Sequence, residues 1–192
     1  MEEVIRDGRS WQVGTASDVA WINTGTSVGL TITAGIPPVF DDYATVVMPK
    51  NAADQAQPDW QMMAVLKSQS PDRRWWLGYL DRGGSDIVFP GAPRVTVYVG
   101  WSYVLVLAGP NEAASWHHSG ARRARPYLLP ELMFPADRSW LVSTLWDDDW
   151  SCVGGPIGLV DALLRHPDPE LRSRVRRVRL GEDATPPGHR AI

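Results

Sequence analysis

The chain has 192 residues, enough for one well-buried core and short for two. Its 44% hydrophobic and 21% charged residues exclude wholesale disorder, and a formal net charge of -3 argues against a dedicated nucleic-acid binder or a polyanion mimic. One cysteine, Cys152, excludes an internal disulfide and a cysteine-based zinc site. The acidic opening Met1-Glu2-Glu3-Val4-Ile5-Arg6-Asp7 lacks an apolar signal region. No apolar run approaches the roughly 18 residues that cross a bilayer. The expected location is the cytoplasm, without a membrane partner.

Along the chain, Ser17 and Asp18 read as helix N-caps, with Val19, Trp21 and Ile22 on one helical face. From Val28 to Ile36, apolar residues alternate with Gly and Thr, the period of a half-buried strand and the reading preferred here, although a helix reaching Pro37-Pro38 also fits. Pro37-Pro38 ends that element. Tyr43 to Met48 is a buried strand, Lys50 to Pro58 a surface connection, and Asp59 the cap of a short helix carrying Met62, Met63, Val65 and Leu66. Strands are expected at Trp75–Leu80 and Ile87–Phe89 around a Gly83-Gly84 turn. Arg94–Val99 and Ser102–Ala108 should form a hairpin through a two-residue Gly100-Trp101 loop.

Asn111 opens a short helix through Trp116, ended by Gly120, and Ala121–Pro135 reads as an exposed basic loop. Ser139–Trp146 is a strand that Trp150–Val153 rejoins antiparallel, with Asp147-Asp148-Asp149 at the tip. Gly154-Gly155-Pro156 then opens a helix whose buried stripe is Ile157, Val160, Leu163 and Leu164, stopped by Pro167. Arg174–Leu180 is an edge strand with arginines outward. The tail 182–192 lacks a period and reads as surface coil. Regular βαβ alternation is missing, so the expected fold is a single α+β domain over 1–192, with short helices packed on an antiparallel-dominated sheet.

Ten tryptophans stand out in a chain of this length. Four of them fall between Trp116 and Trp150, and the segment Asp137–Trp150 is the most distinctive. Three carboxylates bracketed by two indoles suit a cationic group, through charge attraction and ring-face contact. The alternative is a solvated acidic turn whose flanking tryptophans pack inward. The candidate binding residues are therefore Trp146, Asp147, Asp148, Asp149 and Trp150. Contiguous aspartates lack the ligand spacing of a calcium loop, and Trp116-His117-His118 lacks that of a zinc site. Val153-Gly154-Gly155-Pro156-Ile157 matches no phosphate-binding fingerprint. The arginines from Arg172 to Arg179 lack the interleaved aromatics of a nucleic-acid face. Cys152 has no neighbouring base in sequence and reads as buried and inert. No catalytic residue, metal or cofactor is assigned, and nucleic acid is not an expected partner.

At Ile36-Pro37-Pro38-Val39-Phe40-Asp41-Asp42-Tyr43, at Trp75-Trp76-Leu77-Gly78-Tyr79-Leu80 and across Asp137 to Trp150, the chain resembles an uncharacterised family of actinobacterial proteins. That resemblance extends from about Trp21 to His189 and implies a bacterial cytosolic protein. The first of these stretches is also similar to the Leu-Pro-x-x-Tyr-x-x-Phe signature of Smi1/Knr4-like (SUKH) domains, with the aromatic order reversed. Many of those domains are immunity proteins that neutralise toxins by binding them.

Three readings follow. The first is a non-enzymatic, immunity-like module that binds a basic protein partner, with Asp147, Asp148 and Asp149 exposed beside an apolar patch. The second is a small enzyme or ligand-binding protein with a Trp-lined pocket, Asp149 or His118 supplying the polar group. The third is a structural homodimer joined by exposed tryptophans.

Overall fold

A computed structural model of the chain describes residues 2–49, 52–70, 74–81, 89, 91–116, 129–146 and 148–190, the side chains of 52–58 excepted. Strands whose central members are buried on both faces build one antiparallel sheet, which has ten strands among the described residues. In chain order they are β1 (Glu3–Arg6), β2 (Arg9–Val13), β3 (Asp42–Val47), β4 (Trp75–Leu80), β5 (Val95–Val97), β6 (Trp101–Ala108), β7 (Leu132–Pro135), β8 (Leu141–Ser143), β9 (Trp150–Gly155) and β10 (Val175–Arg177). Their spatial order is β1-β2-β6-β4-β7-β8-β9-β3-β10, and β5 pairs with the first half of β6. The helices are α1 (Ala16–Gly25), α2 (Ala52–Gln69), α3 (Pro110–Ser115), α4 (Ile157–Leu164) and α5 (Pro169–Arg174). The expected α+β domain is the fold found. Among the described residues no helix is long and apolar enough to cross a membrane.

Both faces of the sheet are covered, so strand alternation divides the buried residues into two cores. Trp75, Leu77 and Tyr79 of β4, Val104 and Val106 of β6, Met133 and Val142 face Met63 and Leu66 of α2, Leu159 and Leu163 of α4 and Leu171 of α5. Trp76 and Leu80, Tyr103 and Leu105, Phe134, Leu141, Trp150 and Cys152 point the other way. There they meet Val19 and Ile22 of α1, Ile32, Ile36, Val178 and Ala184. Trp75 and Trp140 anchor the first core: both are fully buried, edge to face with ring centroids 4.8 Å apart.

Several expected elements take other forms. The cap of α1 is Thr15 rather than Ser17 or Asp18. Asp18 sits at the third helical position and its carboxylate accepts the Thr15 N–H at 2.7 Å, closing a capping box. Residues 28–36 are not a strand. Ile32–Ala34 is a 3-10 turn, with Ala34 N–H donating to Thr31 O and Ile36 N–H to Ile32 O. The alternating threonines bond each other (Thr31 Oγ1 to Thr33 Oγ1, 2.7 Å) instead of lining a sheet face.

Asp59 does not open a helix; α2 already begins at Ala52, where alanine propensity and the packing of Met62, Met63, Val65 and Leu66 outweigh Pro58. The β5–β6 loop has three residues, because Val97 pairs with Trp101. Tyr98 and Gly100 take the positive φ values, 58° and 98°. In α4 the buried residues are Leu159, Val160 and Leu163, while Ile157 is exposed. Pro156 caps α4 instead of occupying its first turn, which rotates the stripe. Leu132–Pro135, expected within an exposed loop, is a fully buried strand between β4 and β8. The expectations at Gly83-Gly84, Ile87, His117, His118, Gly120 and 121–128 lie outside the described residues.

Before Ser17, where no element is expected, β1 and β2 form a hairpin. Asp7 and Gly8 both have positive φ (53° and 72°), the backbone of a two-residue type I′ turn. The motif Phe40–Tyr43 has a local structural role: the Tyr43 hydroxyl accepts the Phe40 N–H and donates to the Phe40 carbonyl, both at 3.0 Å, fixing the entry to β3.

Trp140→Ala should lower stability by about 3–5 kcal/mol, since it empties a volume that rigid strands on either side cannot refill. The midpoint of urea unfolding measures this, and a loss under about 1 kcal/mol would contradict the packing described.

Candidate functional site

The β8–β9 connection brings the sequence candidates to one place, but not as an exposed acidic tip. Strand β8 ends at Ser143, and β9 returns at Trp150 with Ser143 opposite Cys152. Between them the chain turns, with Asp148 N–H donating to Leu145 O at 3.3 Å, and the Asp149 carbonyl accepts the Met48 N–H at 2.8 Å. Leaving the ladder lets consecutive residues Leu145 and Trp146 face the same side, where strict alternation would have separated them.

The side they face holds an open recess of about 450 Å³. Trp146, Asp148, Trp150 and Cys152 line it from the β8–β9 hairpin, Trp101 from the start of β6, and Leu30 from the loop after α1. Ala184 and Thr185 of the C-terminal segment complete the wall. Trp101 and Trp146 are 6.2 Å apart at 54°. Trp150 is buried, whereas Trp146 is 36% and Leu30 55% exposed, so the mouth of the recess has an apolar rim.

Asp148 is only 6% exposed, which overturns the expectation of three exposed aspartates; the turn folds it inward beside the indoles. Asp149 is half exposed and holds His189, Oδ1 to Nδ1 at 2.6 Å. Asp147 lies outside the described residues.

Residues that sequence reasoning left aside build much of this site. Tyr98, in the strained turn before β6, sets Trp101. Its hydroxyl meets Ser143 Oγ at 2.5 Å and donates to Gly35 O at 3.1 Å, and its N–H donates to Asn23 Oδ1 at 2.9 Å. Burial raises the Tyr98 phenol well above its ordinary range, against the lowering hydrogen bond from Ser143, so it stays protonated.

The tail, expected as surface coil, is bound along its length. Arg176 donates to Asp183 O and Thr185 O, Ala184 N–H to Leu30 O at 2.7 Å, and the His189 ring packs edge-on to Trp150 at 6.1 Å. A positive-φ turn residue such as Gly100 could have flagged Trp101. No local signal marks Ala184 or His189, because their partners are about 150 and 40 positions away.

Burial pushes the Cys152 thiol up to about 12, Asp148 adding to the rise, so the sulfur is neutral at physiological pH and not a nucleophile. The burial of Cys152 is as expected. His189 has an orienting carboxylate, but its ring partners among the described residues are Asp149 and Trp150, with no hydroxyl or thiol to activate. No group of three metal-ligating side chains converges among the described residues.

Two outcomes follow. Cys152 should resist a thiol reagent at pH 8 in the folded protein and react at once in denaturant. Because its folded pKa is raised from 9.0 to about 12, its stabilising contribution is complete below pH 9 and declines as pH rises toward 12. Cys152→Ala should therefore unfold less steeply over that alkaline range; an unchanged slope would refute the assignment. His189→Ala should speed hydrogen exchange at the Ala184 N–H while changing global stability by less than about 1 kcal/mol, as its partner is half exposed.

No family model, curated protein or solved structure matches this chain, so the functional reading rests on the geometry of the recess.

Proposed function

We propose that the chain is a non-catalytic binding module whose tryptophan-lined, acidic recess receives a basic side chain of a protein partner. The observation that carries this reading is the convergence of Trp101, Trp146 and Trp150 with Asp148 around one open recess, from segments far apart in sequence. Indole faces and a carboxylate together favour a guanidinium or ammonium group, each ring contact being worth about 0.5–2 kcal/mol. The exposed Leu30 and Trp146 at the mouth supply apolar contact around that anchor. A neutral Cys152 beside them argues for binding over covalent chemistry.

An immunity-like role, neutralising a basic partner by occupying its surface, is the biological form of this proposal; it draws on the resemblance at Ile36 to Tyr43. A cytoplasmic setting belongs to the same proposal.

The test uses short peptides and the indole N–H resonances of isotopically labelled protein. An arginine-containing peptide should shift the signals of Trp101, Trp146 and Trp150 saturably, and a glutamate-containing peptide of equal length should not. Trp146→Ala should weaken arginine-peptide binding about tenfold, near 1.4 kcal/mol. Equal binding of both peptides, or shifts confined to other tryptophans, would overturn the proposal.

A further inference from the structure

The polar side chains on the wall of the tryptophan recess are already engaged within the protein. Thr31 Oγ1 bonds Thr33 Oγ1 at 2.7 Å, and the Thr185 hydroxyl bonds the Asp183 carboxylate. Asp148 also has a partner, and the Cys152 thiol stays neutral. A guanidinium carries five N–H donors and a primary ammonium three. Either one, buried against this wall, meets acceptors that other groups already use, and a donor left unmatched carries its full desolvation cost.

The wall offers ring surface and negative charge instead. Trp101 and Trp146 stand 6.2 Å apart with their planes inclined by 54°, so the two rings do not make a flat platform. A planar guanidinium stacks flat on one ring, whereas inclined rings enclose a rounded cation. Trp150 adds a third indole to the lining, and Asp148, 6% exposed, keeps a carboxyl group beside the rings without having to accept a new hydrogen bond. The space clear of the walls is about 80 Å³, against the roughly 10–15 Å³ that one water needs. That is room for one head group of a few heavy atoms and for nothing larger.

We propose that the recess selects a quaternary trimethylammonium head group, carried by a trimethylated lysine of the partner. Such a group keeps its positive charge, presents methyl groups to the indoles and has no N–H to satisfy. The inference rests on the recess being the site for a basic side chain and specifies which cation that site prefers.

Four peptides of one sequence test it, differing at a single central residue: trimethyl-lysine, lysine, arginine, and the neutral analogue with carbon in place of the trimethylammonium nitrogen. Titrations followed through the indole N–H resonances should rank trimethyl-lysine first, with the other three each about tenfold weaker. The neutral analogue has the same shape and apolar area, so its deficit reports the charge alone. Trp146→Ala, checked for folding by its circular dichroism melt, should remove most of the preference for trimethyl-lysine over that analogue. Trp146→Phe, which keeps a ring, should retain part of it. Free choline should shift the same signals more weakly than the trimethyl-lysine peptide; choline binding as tightly would overturn lysine as the carrier. Lysine or arginine binding as tightly as trimethyl-lysine would overturn the inference and leave the recess a site for basic side chains. The neutral analogue binding equally, or a preference unaltered in folded Trp146→Ala, would overturn it too. If no peptide shifts the signals of Trp101, Trp146 and Trp150, the underlying reading falls with it.

Discussion

Strand β4 buries Trp75, Leu77 and Tyr79 on one face and Trp76 and Leu80 on the other, and this two-sided burial is the constraint on which the rest of the structure depends. An antiparallel sheet that leaves one face wet needs one cover, whereas this sheet needs two. Helices α2, α4 and α5 supply the first. The second is assembled from α1, a 3-10 turn and the C-terminal segment, pieces that cannot tile a surface as continuously as packed helices do. The recess opens in that patchwork cover, and its lining is drawn from the residues the cover leaves partly bare.

Tryptophan serves both demands. Trp75 and Trp140 meet edge to face at the middle of the first core, and Trp11 and Trp116 do the same at 4.8 Å beside β2 and α3. Trp101, Trp146 and Trp150 sit where the second cover thins, so their rings both pack against neighbours and line the recess. Large flat side chains lose little rotamer freedom when held this way, which suits a preorganised binding surface.

The arginines near the C-terminus link the edge of the sheet to that cover. Arg177 bridges Asp42 of β3 and Asp161 of α4 at 2.9 and 2.5 Å, while Arg176 holds the backbone of the tail. Side chains that read as a charged guard on an exposed edge are thereby also ties between elements. The tail they secure places Ala184 and Thr185 against the recess and His189 against Asp149. The wall of the recess and the fold closure at the sheet edge share the same few contacts.

The α+β class, the strands at Tyr43, Trp75 and Trp150, and the pairing of the β8 and β9 segments were legible in the amino-acid order, because strand period and apolar run length are local properties. The burial of Cys152 was legible for a similar reason: it stands in an apolar strand segment. Local pattern misled at Val28–Ile36, where alternating threonines satisfied one another, and at Leu132–Pro135, whose burial depends on strands β4 and β8. The Asp-Gly turn at Asp7-Gly8 carried a readable hairpin signal. The site divides along the same line. Trp146, Asp148 and Trp150 were visible as a cluster in the sequence, but burial of Asp148, the approach of Trp101 and the closure by Ala184 and Thr185 were decided by tertiary structure alone, since each depends on a neighbour brought near only when the sheet is complete.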